Sequence, residues 1–271
     1  MSIEQIRSHF GFSRMPFSKD LAPSMLHRHR SHQEALARIS FLVQEQAIGV
    51  LTGEVGSGKT VAARAAMSEL EPSRHSVIYL ANPAMGARGI YAEIIARLGG
   101  EPRFFKSALI TQAGDLLAKE ASERGRRVVV IVDESHLLDA GQLEELRLLT
   151  NAEMDSASPF ALLLLGQPSL RARLRLGTFA ALDQRVTLRY ALPPMSVDET
   201  ASYVNHHLSL CGRSDTLFSD DALTSIHRAG RGLPRAVNNL ARQALVAAYA
   251  NRSAIVDEKA ARQAITEMDS E

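Results

Sequence analysis

The sequence predicts an α/β protein: a parallel sheet covered by helices, followed by a smaller all-helical part. Three observations predict it. Short apolar runs alternate with helix-period stretches between Ile48 and Leu192, the pattern of successive strand–helix units in a parallel sheet. One run, VVVIV at Val128–Val132, is apolar without interruption, as a strand is when both of its faces are covered. After Pro193-Pro194 the strand pattern stops, and the remaining residues have helical periodicity alone.

The elements follow in order. Residues 1 to about 30 read as irregular, with Pro16, Pro23 and the basic cluster HRHR at His27–Arg30. A helix is expected from Ser31 to about Gln46, with Leu36, Ile39, Phe41, Leu42 and Val43 on or near its apolar side. The short strand Ile48–Thr52 leads into GEVGSGKT, Gly53–Thr60, and a helix runs from about Lys59 to Leu70. Val77–Ala81 is the second strand, and helical patterns cover about 89–98 and 107–124. The strand Val128–Val132, a helix at Ala140–Asn151, the strand Phe160–Leu165 and a last strand at Arg185–Leu192 complete the sheet. Four helices come after it, Val197–Leu210, Ser219–Ala229, Leu233–Tyr249 and Asp257–Met268. Ser219-Asp220-Asp221 starts one as an N-cap does, and Gly230 with Gly232 stops it. The expected division is 1–46 as leading segment and helix, 47–192 as nucleotide-binding α/β domain, and 193–271 as helical lid.

Composition excludes several function classes. The 271 residues are 45% apolar and 23% charged, enough to bury a core, and the net charge is +1. Global charge therefore does not argue for nucleic acid, and any DNA-binding surface must be local. The one cysteine, Cys211, cannot form an internal disulfide or a Cys-rich zinc site, and it fits a reducing compartment. The first residues contain no apolar segment of a secretory leader, and the longest apolar runs are too short to span a bilayer. The expectation is a soluble, cytoplasmic chain with no membrane partner.

The glycine-rich loop carries the chemistry. Gly53-x4-Gly58-Lys59-Thr60, between a strand and a helix, is a P-loop. Its glycines allow the backbone N–H groups of Gly53, Glu54, Val55, Gly56, Ser57, Gly58, Lys59, Thr60 and Val61 to surround phosphate oxygens. The helix N-terminus adds partial positive charge, Lys59 reaches the β- and γ-phosphates, and Thr60 ligates Mg2+. The expected ligand is ATP with Mg2+. At the end of VVVIVDESH, Asp133 and Glu134 lie at the carboxyl edge of the sheet, where ligands of open α/β sheets bind. Asp133 would hold the metal through its water, and Glu134 would orient and deprotonate an attacking water. His136 beside them reads as a turn residue.

Taken in order, GEVGSGKT, VVVIVDESH, LLLLGQP (Leu162–Pro168), DQRVTLRY (Asp183–Tyr190) and GLPRAVNNL (Gly232–Leu240) resemble an AAA+ ATPase. With FGFSRMPFSKD (Phe10–Asp20), GQP and GLPR, the chain is similar to the ExeA-type branch. That branch includes helper ATPases of transposition of the TniB, TnsC, IstB and MuB kind. The resemblance spans about residues 10–268. It implies that Asn82 restrains the catalytic glutamate, and that Gln167 is sensor 1, where Asn or Thr is more usual. It further implies that Arg185 is an arginine finger acting on a neighbouring subunit, with Arg189 as competitor, and that Arg235 is sensor 2. An adenine pocket is implied near Pro16, Phe17 and His32.

A finger that acts in trans implies a ring or filament of identical subunits. The first functional reading is a regulator of transposition that ATP assembles on duplex DNA, where it serves a transposase. Arg124–Arg127, Arg171-Ala-Arg173-Leu-Arg175 and His27–Arg30 are the basic segments available to phosphates, although Arg171, Arg173 and Arg175 do not share one helical face. The alternative is an ExeA-like secretion or envelope ATPase acting on protein partners. It ranks second because that architecture continues into a membrane span and this sequence stops at Glu271. A third reading is a scaffold that binds ATP and hardly turns it over, which an intact Glu134 argues against.

Overall fold

A computed structural model describes residues 2–18, 20–151 and 158–269. Lys19, within the FGFSRMPFSKD segment, lies outside the described residues. By compactness the chain divides into two units. One comprises residues 34–54 and 59–192, the other residues 1–33, 55–58 and 193–271.

The first unit is built on five parallel strands: β1 (Ile48–Thr52), β2 (His75–Leu80), β3 (Arg127–Val132), β4 (Phe160–Gly166) and β5 (Val186–Ala191). Their order in the sheet is β2-β3-β4-β1-β5, the α/β parallel sheet that the strand–helix alternation predicts. The central strands are the most apolar because neither face meets water. Every residue of β1 and β4 is buried, as is every residue of β3 after Arg127. Each such Val, Leu or Ile side chain contributes about 1.5–3 kcal/mol by leaving water. The connecting helices are α3 (Lys59–Ser68), α4 (Gly86–Arg97), α5 (Lys106–Ser122), α6 (Ala140–Leu149), α7 (Pro168–Leu174) and α8 (Ala180–Arg185). Ile90, Ile94 and Ile95 of α4 and Leu109, Ala113 and Leu117 of α5 share a core with β2, β3 and β4. Before the sheet, α2 (Arg30–Gln44) supplies Leu42, which packs against Gly49 so closely that a Cβ there would lie 2.8 Å from its Cδ1.

The second unit is helical: α1 (Ile3–Phe10), α9 (Val197–Ser209), α10 (Asp220–Gly230), α11 (Pro234–Ala250) and α12 (Glu258–Asp269). Its core joins Ile6 and Phe10 of α1 to Val204, Ile226, Val237, Leu240 and Ala261. Helix α1 corrects the expectation that residues 1–30 are irregular. Ser2 and Gln5 form a reciprocal capping box and Gly11 closes the helix in the left-handed region, φ 70°. Its apolar positions Ile3, Ile6 and Phe10 do have helical spacing, but over eight residues that stripe is only three positions long. Gly232 also sits at positive φ, 65°, and a Cβ there would come within 2.2 Å of Met195 O, so no other residue fits that turn.

Cys211 is buried, and burial pushes its thiol up, which keeps it unreactive. Among the described residues no helix is long and apolar enough to cross a membrane.

Candidate nucleotide-binding site

β1 runs directly into the P-loop, and α3 begins at Lys59. Lys59 is 7% exposed, and its Nζ donates to Gly53 O at 2.9 Å and Glu54 O at 3.0 Å. A buried ammonium needs such acceptors, and phosphate oxygens could replace both carbonyls as partners. Gly53 N–H donates to Gly166 O of β4, which ties the start of the loop to the sheet.

Asp133 follows the last residue of β3 and is 5% exposed. Thr60 Oγ1 donates to its Oδ2 at 2.7 Å, and the Glu134 N–H donates to Oδ1 at 2.8 Å. Hard oxygen donors in this arrangement are of the type that suits a small divalent cation such as Mg2+. A third donor is Tyr79 of β2, whose hydroxyl reaches Asp133 Oδ2 at 2.8 Å. Burial and that hydrogen bond push the phenol well above its usual range. Tyr79 carries no motif signal, because in VIYLA it reads as one aromatic strand residue.

Glu134 is half exposed and adopts the left-handed conformation, φ 50° and ψ 34°, which is uncommon for a residue with a side chain. The turn is fixed on three sides. Ser135 Oγ donates to Val132 O at 2.7 Å, and the Arg173 guanidinium donates to His136 O and Leu138 O at 2.9 and 2.6 Å. The His136 ring is mostly buried, and its Nδ1 lies 3.4 Å from Glu134 Oε2.

Gln167 is the N-cap of α7, in extended backbone, directly after β4. Asn82 is exposed, between β2 and the 3-10 turn Pro83–Met85. Arg185 ends α8, with Nη2 donating to Asn151 Oδ1 at 2.8 Å. Arg189 folds back instead, to Val186 O at 2.8 Å and to Asp183 Oδ1 at 2.9 Å. In the helical unit, the Arg235 N–H opens α11 and donates to Gly56 O at 3.2 Å. Gly56 has φ 80°, and a Cβ there would lie 2.8 Å from Arg235 Cβ. Phe17 is 2% exposed and packs on His207 with ring centroids 5.1 Å apart. His32 is 4% exposed, and both of its ring nitrogens lack a hydrogen-bond partner among the described residues.

The basic segments fare unequally. Arg124 and Arg126 both pair with the buried Glu120. His27 stacks with His29 and donates to or accepts from Ser202 Oγ at 3.0 Å, so HRHR is in part an internal segment. Arg173 is engaged by the carbonyls of the turn after β3.

A parallel sheet of this order, with a P-loop after β1 and an acidic pair after β3, defines an AAA-type P-loop nucleoside triphosphatase. The model of the AAA domain family matches residues 42–174 of the chain. It is 36% identical over 248 residues to General secretion pathway protein A of Aeromonas hydrophila. The match covers 90% of this chain and 45% of that protein, so the chain spans about half the length of the curated relative. Among solved structures, the ORC2 protein of Aeropyrum pernix, in ADPNP–ADP complexes, aligns with a TM-score of 0.69 at 20% identity, covering 93% of this chain and 71% of that one. The ORC1 protein of the same organism, solved in complex with DNA, aligns with a TM-score of 0.66 at 16% identity, covering 93% and 68%. At these identities the two structures speak to the fold.

Proposed function

We propose that the protein is an ATP-driven switch that assembles with copies of itself on duplex DNA. The observation that carries the ATPase reading is the set of hydrogen bonds on Asp133, which joins the P-loop threonine to the carboxylate before Glu134. Bound Mg2+ would neutralise phosphate charge. Lys59 and the loop N–H groups hold the phosphates, Glu134 takes a proton from the attacking water, and Gln167 hydrogen-bonds that water or the γ-phosphate. Asn82 restrains Glu134 before the substrate is complete, and Arg235 responds to the γ-phosphate. Arg185 serves a neighbouring subunit, with Arg189 as the alternative finger. Domain boundaries at 46/47 and 192/193 belong to this reading.

The DNA client is suggested by a protein of the same fold, the ORC1 protein of Aeropyrum pernix, which was solved in complex with DNA. A regulator of transposition, with a transposase as partner, is the specific form of it. A second reading has its own observation: the 36% identity to General secretion pathway protein A favours an ATPase that acts on protein partners in secretion. Duplex DNA binding with Mg2+ and a slowly hydrolysed ATP analogue, against ADP, separates the two. Tight, salt-sensitive binding and large particles with the analogue alone support the DNA switch. Nucleotide-dependent assembly without DNA affinity would refute it in favour of protein clients. Lys59→Ala is expected to abolish nucleotide binding and, with it, either form of assembly.

A further inference from the structure

Helix α7 and its C-cap residue, Arg175, sort three arginines. Arg173 faces the turn after β3 and is consumed there by His136 O, Leu138 O and the Phe179 ring, 5.5 Å away. Arg171 and Arg175 are four residues apart and so share the other side. Both line a depression against Thr52 of β1, together with Asp183, Arg189 and Tyr190. Arg189 is paired with Asp183 at 2.9 Å, so that pair is neutral. Beside Tyr190, Arg38 lies over the ring at 4.8 Å and is itself paired with Glu34 at 2.6 Å, also neutral. Arg171 and Arg175 are exposed, and no hydrogen bond or ion pair of either side chain is found among the described residues. The depression therefore carries two guanidiniums without a carboxylate to balance them.

Two like charges on one concave surface repel, and an anion with several oxygens relieves that repulsion. Guanidinium forks match phosphate oxygens in particular. We infer that this depression is a phosphate-binding site for the backbone of duplex DNA, with Arg171 and Arg175 as the contacting residues. The inference rests on the proposed DNA client and gives it a surface. The position also couples the site to the nucleotide loop. Arg189 and Tyr190 of β5 are in register with Val50 and Leu51 of β1, and β1 ends at Thr52, one residue before Gly53. A phosphate held here touches the strand that carries the P-loop.

The test is DNA binding by the full chain, saturated with Mg2+ and a slowly hydrolysed ATP analogue so that the P-loop is filled. Affinity is measured across a salt series by fluorescence anisotropy, for wild type, Arg171→Ala/Arg175→Ala and Arg173→Ala. Losing two phosphate contacts should lower the slope of log affinity against log salt by about 2. Nucleotide affinity and thermal midpoint should stay at wild-type values. Arg173→Ala should lower the thermal midpoint and leave the salt slope unchanged. A wild type that binds DNA, with an unchanged slope in the double variant, overturns the site and spares the DNA reading. A wild type without DNA affinity overturns the DNA reading. Titration of tripolyphosphate into the same analogue-saturated proteins then decides the site. Saturable binding lost in the double variant keeps a phosphate site whose ligand is a free polyanion, and no such binding overturns it.

Discussion

Lowering the pH from 7 to 5 should destabilise the helical unit through its buried histidines. His32 and His207 are each 4% exposed, and burial, followed by neighbouring positive charge, pushes both down to about 4. Their surroundings supply little compensation. His29 lies 5.8 Å from the His32 ring, His27 lies 5.3 Å from His206, and Tyr203 packs edge-on against His207 at 4.5 Å. Arg28 adds positive charge toward His32, and Arg14 toward His207. The facing carboxylate is Glu199, 3.9 Å from His29 Nδ1. An unfolded chain protonates each ring below about pH 6.5, while the folded unit resists until about 4. The stabilisation is therefore complete above 6.5 and is lost progressively as pH falls toward 4. Linkage over that window gives about 2 kcal/mol per ring between pH 7 and 5. The rings share one field, so the pair together should lose about 2–4 kcal/mol. Urea unfolding of the full chain, followed by far-UV circular dichroism at both pH values, measures it. The same experiment on His32→Gln/His207→Gln supplies the reference. An equal loss in wild type and double variant would refute the reasoning, because the pH dependence would then come from other groups.

Three substitutions probe the nucleotide site. Glu134→Gln should keep ATP binding and assembly while turnover falls at least about 100-fold, the scale of general-base catalysis; a variant that still hydrolyses ATP at the wild-type rate sinks the assignment. Arg185→Ala should leave nucleotide affinity intact and cut turnover by about 1000-fold in the assembled state. Normal turnover in that variant would move the finger to Arg189. Tyr79→Phe removes one of two hydroxyls on Asp133 Oδ2 and should weaken Mg2+-dependent nucleotide binding by about fivefold, the equivalent of about 1 kcal/mol. Binding measured without Mg2+ should not change, and an equal loss with and without the metal would point to a merely structural tyrosine.

The legible features of the sequence come from chemistry that depends on near neighbours in the chain. IGVLT and VVVIV read as strands because covering both faces leaves no polar position to interrupt them. The P-loop reads as one because its glycines, lysine and threonine must all lie in a single turn of chain. Tyr79 is illegible for the opposite reason: its partner, Asp133, is 54 residues away, and strand pairing alone brings them together. Helix α1 is easily passed over because its apolar stripe, Ile3, Ile6 and Phe10, is only three positions long, although Ser2, Gln5 and Gly11 mark both of its ends. The arginines of α7 are the instructive case. Spacing alone says that Arg171 and Arg175 share a side that Arg173 does not. Which side faces outward depends on the carbonyls of His136 and Leu138, more than thirty residues earlier in the chain, and those claim Arg173. A basic segment that looks like one patch in sequence is thus a structural clamp and a pair of uncompensated charges, and only the pair is available to a phosphate.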